Sequence, residues 1–222
     1  MCDIVIAHYN EDLEWLKNIK SMASSVQVYS KSTNPPKDSI PLPNIGRESH
    51  TYLYHIVDNY DTICANPNKV TMFLQGRISD HIKYYKSNTE EDFVLKLFLT
   101  AKLNGKSTVY EWINVGFYAP RWSFRVHRQK HVKPCHESFG PWFVRYVQPD
   151  FPFHQIKWYV GALFAIRNDV IAKRDKEYYI RLLEQHDHIN QELCHYLERA
   201  WWYVFPCSES TDIPKPSNKA LL

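Results

Sequence analysis

Short strand-like segments alternate with helix-like segments along the first hundred residues, and this order constrains the fold more than any other feature. The strand-like segments lie at residues 3–9, 25–30 and 69–76. The helix-like segments, in which apolar residues recur at helical spacing, lie at residues 10–19, 47–60 and 90–105. Such alternation predicts an α/β fold: a three-layer sandwich with a Rossmann-like, mostly parallel mixed sheet. In sheets of this kind, ligands bind beyond the carboxyl ends of the strands.

The second half of the chain has a less regular pattern. Residues 107–155 are rich in Trp, Pro, His and Arg without clear periodicity, which indicates an irregular functional region. A long strand is predicted over residues 156–166, interrupted at Gly161, where either a β-bulge or the close approach of a ligand would suit a glycine. Two helices are then predicted, over residues 168–185 and 190–205. We expect one domain over residues 1–206, followed by a polar linker or tail, and the chain is compatible with being one domain of a longer protein.

Composition excludes several classes of function. The net charge of +3 is too small for the concentrated basic face of a nucleic-acid-binding protein, and no nucleic-acid motif is present. The five cysteines include no CxxC pair, which argues against zinc knuckles and redox motifs and favours a reducing compartment. No apolar run approaches the length of a membrane span. A cytoplasmic protein is therefore expected.

The stretch VTMFLQGRISDH, residues 70–81, places a carboxylate and an imidazole just past the end of a predicted central strand. Asp80 and His81 together could bind Mn²⁺ or Mg²⁺, which in turn could hold a diphosphate. Lys83 could add a phosphate contact. The alternative is structural: Asp80, or the serine before it, could cap a short helix, and the lysine could be a solvated side chain.

Polar and aromatic side chains also follow the first strand. His8, Tyr9 and Asn10 could hold a nucleobase by stacking and polar contacts at the sheet edge, while Gln75 ends the third strand beside them. The alternative reading, a capped helix start, accounts for Asn10. It does not account for a histidine and a tyrosine placed directly after a strand.

A Gly-Arg pair opens the helix predicted over residues 47–60. A helix N-terminus with an adjacent arginine favours anion binding through backbone N–H groups and the guanidinium, so Arg47 is a candidate diphosphate ligand. The alternative is a glycine-mediated turn in which Arg47 pairs with an acid.

Candidates for a general base lie further along the chain. Glu192 and Glu198 belong to the last predicted helix, where they fall on different faces, so at most one is expected to enter a site. Glu198 could instead form a buried ion pair with Arg199. His136 in the irregular region is a candidate for contact with substrate.

Five segments carry a resemblance to a known family; in chain order they are VIAHYNEDLEWL, NIGRESHTYLYHIVDNYD, VTMFLQG, YVGALFAI and ELCHYLERAWWYVF. In these segments the chain resembles a family of glycosyltransferase-like proteins from fungi and large DNA viruses, including a chlorella-virus (chlorovirus) glycosyltransferase domain. The resemblance implies a GT-A-type fold with a nucleotide-binding half over about residues 1–105 and an acceptor half over about residues 106–206. It also implies a role in viral glycan synthesis in the host cytoplasm, if the source is a virus.

The implied reaction moves a hexose or deoxyhexose from a nucleoside-diphosphate sugar, such as a UDP-sugar, to a glycan or glycoprotein acceptor. Such enzymes use a divalent metal, Mn²⁺ or Mg²⁺, bridged by an Asp-x-Asp motif after a central strand. Here that place is filled by GRISDH, residues 76–81, which has a single carboxylate. Arg47, Lys83 and a metal on Asp80 would oppose the charge that develops on the departing diphosphate.

Two other functions compete with glycosyl transfer. The many Trp and Tyr residues between 110 and 159 would suit a non-catalytic carbohydrate-binding module that stacks on sugars. Asp80, His81 and the histidine-rich middle could belong to a metal-dependent phosphoesterase, although the chain lacks the clustered acids of a two-metal site.

Overall fold

The computed structural model describes residues 2–107, 111–114, 132–149 and 155–206. The seven strands are β1 (Cys2–His8), β2 (Ala23–Ser30), β3 (Ile40–Pro41), β4 (Val70–Gln75), β5 (Glu111–Asn114), β6 (Gln155–Trp158) and β7 (Phe164–Arg167). The α-helices are α1 (Leu16–Ile19), α2 (Arg47–Asp58), α3 (Tyr60–Ala65), α4 (Glu90–Asn104), α5 (Phe139–Tyr146), α6 (Asn168–Ile171), α7 (Lys176–Leu183) and α8 (Glu192–Val204). Short 3-10 turns are formed by Lys20–Met22, Ile82–Tyr85 and Val160–Ala162.

The main sheet confirms the predicted α/β class. Its five strands are ordered β3-β2-β1-β4-β7; the first four run parallel, and β7 pairs antiparallel with β4. The chain passes from β1 to β2 on one side and then crosses to β4 on the other side of β1. The strand order therefore reverses between β1 and β4, which is the place where open α/β sheets bind ligands. Strands β5 and β6 form a separate antiparallel pair.

Alternate residues of the central strands point into two cores, one on each face of the sheet. Ile4 and Ile6 of β1 belong to the core that α4 covers with Phe93. Val5 belongs to the opposite core, in which Tyr52 of α2 contributes to the packing. Each of these side chains is fully buried. Successive side chains of a strand point to opposite faces, so a strand buried on both faces reads as a continuous apolar run.

Helix α4 follows its predicted signals closely. The Thr89 hydroxyl accepts a hydrogen bond from the backbone N–H of Asp92 at 3.1 Å, as an N-cap does. Gly105 ends the helix at φ 83°, in the left-handed conformation that glycine adopts readily. This 15-residue helix is the longest in the described residues, among which no helix is long and apolar enough to cross a membrane.

Several predicted boundaries are wrong. The helix predicted over 10–19 forms only at Leu16–Ile19, because residues 9–15 are drawn into turns beside the sheet. The helix predicted over 47–60 ends at Asp58, and α3 begins two residues later, because the Asn59 side chain donates to the His55 carbonyl at 3.0 Å.

The prediction of one long strand over residues 156–166 is also wrong. The segment forms two strands, β6 and β7, in different sheets, separated by a turn in which Gly161 has a φ of 68°. The helix predicted over 168–185 is likewise two helices, and Asp175 caps the second by accepting from the N–H of Tyr178 at 2.8 Å. Residues 107–155, which were predicted to be irregular, contain β5 and α5. The predicted tail at residues 207–222 lies outside the described residues.

Candidate functional site

A cleft of about 430 Å³ opens at the carboxyl ends of β1, β2 and β4, where the strand order reverses. Its wall is built by residues from five separate stretches of the chain. They are Ala7, His8, Tyr9, Glu11, Lys31, Asn44, Arg47, Glu48, Thr51, Gln75, Ile189 and Asn190. A concave site of this size at a switch point is the first place to expect a small ligand.

His8 forms part of the wall and is held rigidly. It ends β1, is 6% exposed, and its Nδ1 lies 2.9 Å from the Ser30 hydroxyl at the end of β2. Its Nε2 lies 3.2 Å from the carbonyl oxygen of Glu11. Because a carbonyl oxygen can only accept, Nε2 donates to it. The two contacts hold the imidazole in one orientation in the cleft wall.

Arg47 lies at the start of α2 and faces the cleft with an exposed side chain. Its guanidinium forms no ion pair or hydrogen bond with the described residues. The three N–H groups of the first helical turn have no side-chain cap. A helix N-terminus together with an unpaired guanidinium provides donors and positive charge for an anion.

Lys31 fixes the turn that presents Arg47. Its buried ammonium donates to the carbonyl oxygen of Ile45 at 2.5 Å and to that of Arg47. Burial lowers the pKa of Lys31 to about 8, while Glu48 acts in the opposite direction. The turn needs this support because Arg47 has a φ of 46°, in the left-handed region that non-glycine residues enter at a cost.

Gly46 precedes Arg47 and is packed so closely that no other residue fits. Its φ is 62°, and a Cβ atom there would lie 2.3 Å from Cδ2 of His186 and 2.6 Å from Cβ of His50. The turn after α7 thereby fixes the start of α2, and the N–H of Gly46 donates to the carbonyl oxygen of His188 at 2.9 Å.

Gly46→Ala is expected to lower the free energy of unfolding by at least about 2 kcal/mol, since a left-handed non-glycine residue costs about 1–2 kcal/mol and overpacking adds about 1–3 kcal/mol. Urea denaturation checks this. Gly76→Ala is the matched control, because Gly76 does not have a positive φ and its added methyl would lie 2.7 Å from the nearest atom, in the Glu11 side chain, against 2.3 Å at Gly46. Equal losses for the two variants would contradict the role given to Gly46.

Glu48 and Thr51 bring an acid and an unpaired hydroxyl to the same wall. Burial raises the pKa of the Glu48 carboxyl, and the neighbouring Arg47 opposes that rise. Thr51 is 1% exposed, and its hydroxyl has no hydrogen-bond partner among the described residues. Buried polar groups are nearly always bonded, so an unpaired one in a cleft wall is a candidate ligand contact.

Two exposed apolar side chains form the rim of the cleft. Tyr9 is 48% exposed and Ile189 is 49% exposed, and they come from opposite ends of the chain. The backbone of the Tyr9 turn is held by Glu11, whose carboxylate accepts from the N–H of Tyr9 at 2.7 Å and from that of Asn10 at 3.1 Å. A planar ring ligand could stack on this tyrosine.

A family model described as a protein of unknown function, DUF3431, matches residues 4–219. The chain belongs to the DUF3431 family. No curated protein and no solved structure matches it. The family description carries no activity, so the resemblance to glycosyltransferases stays a prediction for this DUF3431 chain.

Four of the candidate donor-binding residues lie together in the cleft of the DUF3431 protein: His8, Tyr9, Arg47 and Gln75. Asn10 lies beside them but is turned to the loop after β2, where its side-chain oxygen accepts from the Ser32 hydroxyl at 2.7 Å. Gln75 donates to the carbonyl oxygen of Gly161 at 2.6 Å. Gly161 is therefore joined to the cleft through Gln75 without lining it.

The expected position of Asp80 in this cleft is not observed. Its carboxylate is 49% exposed, lies 3.4 Å from the Arg77 guanidinium and 3.8 Å from Nε2 of His81, and does not line the cleft. The His81 ring packs instead against the backbone at Gly161. Lys83 is exposed and lies over the Tyr84 ring, 5.4 Å from its centroid. None of the three residues lines the cleft that contains Arg47.

The three base candidates also lie outside the cleft wall. Glu192 is 4% exposed and accepts from the N–H of Cys135 at 2.9 Å. Glu198 forms the ion pair with Arg199 that the sequence suggested, at 2.8 Å. Burial would raise the pKa of Glu198, but His195 and Arg199 together lower it. His136 is exposed and does not line the cleft.

The aromatic residues expected to stack on sugars are, where described, parts of the core. Trp142 is 2% exposed and Tyr159 is fully buried. Residues 115–131, which contain further aromatics, lie outside the described residues. The described aromatic cluster therefore stabilises the fold and offers no exposed stacking surface.

Sequence reasoning missed several residues of the cleft: Glu11, Lys31, Asn44, Glu48, Thr51, Ile189 and Asn190. Thr51 had a signal, because it lies four residues after Arg47 and so shares its face of α2, and Glu48 had a weaker one as the direct neighbour of Arg47. Lys31 directly follows β2, at the sheet edge where ligands bind. Ile189 and Asn190 had no such signal in the sequence, since only the fold brings their turn close to the sheet.

Proposed function

We propose that this DUF3431 protein is a glycosyltransferase that uses a nucleoside-diphosphate sugar, such as a UDP-sugar, and transfers the sugar to a glycan acceptor. The supporting observation is the unpaired Arg47 guanidinium at the uncapped start of α2, inside a cleft at the switch point of a mostly parallel sheet. The sequence resemblance points to the same reaction.

In the proposed binding mode, the diphosphate contacts Arg47 and the first-turn N–H groups of α2. Arginine suits this role because its planar fork matches phosphate geometry and its charge is always present. The base stacks on Tyr9 at the rim, and the unpaired Thr51 hydroxyl offers a further hydrogen bond. Lys31 acts by positioning, since its ammonium holds the turn that carries Arg47.

The residues proposed for a divalent metal do not fit a site that bridges a diphosphate in this cleft. Asp80 and His81 contribute one carboxylate and one imidazole, and neither lines the cleft. The described part of the chain contains no group of three or more His, Cys, Asp or Glu side chains placed to hold a metal ion. In this proposal, Arg47 and the N-terminus of α2 stabilise the negative charge that develops on the leaving diphosphate.

Glu48 is the proposed general base for an inverting transfer. The acceptor hydroxyl attacks the anomeric carbon, the bond from that carbon to the diphosphate oxygen breaks, and the hydroxyl proton passes to the Glu48 carboxylate. A carboxyl whose pKa is raised by burial is a better proton acceptor than an exposed one, and Glu48 lies beside Arg47 in the same wall. The nucleoside diphosphate leaves with the electron pair of the broken bond.

A nucleotide-sugar is expected to raise the melting temperature of the protein. At a ligand concentration of 100 times Kd, the stabilisation is about 2.7 kcal/mol, which corresponds to roughly 5–10 °C for a chain of this size. Thermal melts with UDP-glucose, UDP-galactose, GDP-mannose and dTDP-rhamnose, with Mn²⁺ or with EDTA, measure it. Asp80→Ala is the matched control and should keep the shift, because Asp80 lies outside the cleft.

The same experiment separates the competing functions. Absence of a shift with every nucleotide-sugar would overturn the proposal. A shift with glycans but with no nucleotide would favour the carbohydrate-binding module. Release of phosphate from simple phosphoesters would favour the phosphoesterase.

A further inference from the structure

A second cavity, of about 180 Å³, lies between α5 and α7 and shares no residue with the cleft. Three of the residues that line it are arginines, from the end of α5, the turn before α7 and α7 itself. The lining consists of Arg145, Tyr146, Val147, Pro149, Arg174, Tyr178, Arg181 and Leu182. Three guanidinium groups around so small a space create a locally strong positive charge on a chain whose net charge is only +3.

The charge of this cavity is poorly compensated by the protein. Arg145 lies 3.5 Å from the Glu137 carboxylate, with 65% of its side chain exposed. Arg174 donates to the Val147 carbonyl oxygen at 3.2 Å, which caps α5 but brings no negative charge. Within the described ranges neither Arg174 nor Arg181 forms an ion pair. Like charges held together repel each other unless an anion joins them.

Tyr178 supplies an independent indication of a ligand. It lines the cavity, is only 7% exposed, and its hydroxyl has no hydrogen-bond partner among the described residues. Nε of Arg174 is also buried without a partner, and that guanidinium lies 4.7 Å from the centroid of the Tyr178 ring. Two unpaired buried donors at one cavity are unusual in a native protein.

We propose that this arginine cavity, formed by Arg145, Arg174, Tyr178 and Arg181, binds a phosphate group, either inorganic phosphate or the phosphate of a small monoester. A phosphate oxygen would accept from Tyr178 and from the guanidinium forks, which match tetrahedral oxyanions in charge and in spacing. The cavity accommodates the phosphate and few further atoms, so the rest of an ester would extend into solvent. This site is independent of the proposed glycosyl transfer.

Isothermal titration of the whole chain with sodium phosphate and with glucose 6-phosphate tests the proposal, at constant ionic strength set with sodium chloride. The titrations use an Arg47→Asn background so that the cleft does not contribute. Arg181→Gln and Tyr178→Phe are each expected to weaken phosphate binding about 10-fold. Arg181 is exposed, and its one hydrogen bond with a side chain of the described residues is made by its backbone carbonyl, which accepts from Gln185 and is retained in Arg181→Gln. This variant therefore keeps the test valid even if Tyr178→Phe fails to fold.

Lys176→Gln is the matched control, since it removes one positive charge from the same helix but does not line the cavity. Equal weakening by Lys176→Gln and Arg181→Gln would show a general charge effect and would overturn the site, as would unchanged binding in both Arg181→Gln and Tyr178→Phe. Absence of phosphate binding to the parent protein would overturn it as well. Tighter binding of glucose 6-phosphate than of phosphate would assign the natural ligand to the esters, and the reverse order to the free ion.

Discussion

Arg47→Asn is expected to weaken the binding of a nucleoside-diphosphate sugar by roughly 10- to 100-fold, because a hydrogen bond to a charged group contributes about 1.5–3 kcal/mol. Asparagine is chosen because it tolerates the left-handed conformation that Arg47 adopts, so the substitution removes the guanidinium and leaves the turn intact. Isothermal titration with UDP and with UDP-sugars measures the change. Arg77→Asn, at a 68% exposed side chain outside the cleft, is the matched control.

Glu48→Gln separates binding from transfer at the neighbouring position. The amide keeps the size of the side chain but removes a negative charge beside the diphosphate, so donor binding should be unchanged or tighter. Transfer to an acceptor should fall by at least about 100-fold if the carboxylate is the base, in line with the usual contribution of such groups. A variant with full transfer activity would remove Glu48 from the mechanism.

Three buried histidines are expected to lower the free energy of unfolding by about 4 kcal/mol between pH 7 and pH 5.5, before the opposing contribution of Glu48. Burial lowers the pKa of three histidines, to about 3 for His50 and about 4 for His55 and His186. In the unfolded chain each would take up a proton near pH 6.5. The stability that these three rings contribute is therefore fully present above pH 6.5. It is lost as the pH falls toward their folded pKa values, because the unfolded chain then binds up to three more protons than the folded chain.

The raised pKa of Glu48 acts in the opposite direction, because the folded chain binds a proton at this carboxylate at a higher pH than the unfolded chain does. Glu48 therefore offsets up to one of the three protons that the unfolded histidines take up. Urea denaturation at a series of pH values between 7.5 and 4.5 measures the slope. His186→Gln should reduce the slope by about one proton. A flat stability profile between pH 7 and pH 5 would contradict the burial of these rings.

Where one physical effect determines an element, the sequence predicts it well. Val70 to Leu74 form a continuous apolar run because β4 is buried on both faces, and Thr89 and Gly105 bound α4 by local hydrogen bonding and backbone conformation. Local sequence patterns cannot predict where the chain leaves one sheet and enters another. The apolar residues around Gly161 suit one long strand, yet its φ of 68° turns the chain between two sheets.

The residues of the candidate site also fall into two groups, those that local sequence predicts and those that only the fold brings to the cleft. Arg47 was predicted because Gly-Arg before a helix has a local physical meaning, and His8 because it directly follows a strand. Asp80 was expected in the cleft for its position after β4, but sequence distance from a strand end does not give the direction of the following loop. Ile189 and Asn190 reach the cleft only because α7 packs against α2, a contact between residues far apart in the chain.

The last wall of the cleft has a consequence for biosynthesis. Arg47 leaves the ribosome early, but the turn at residues 186–190 that locks Gly46 and completes the rim is translated about 140 residues later. A nascent chain bearing only the parallel strands would therefore present an open, unsupported anion pocket. Binding of the proposed nucleotide-sugar should therefore become possible only late in synthesis, when the carboxyl-terminal helices pack onto the completed sheet.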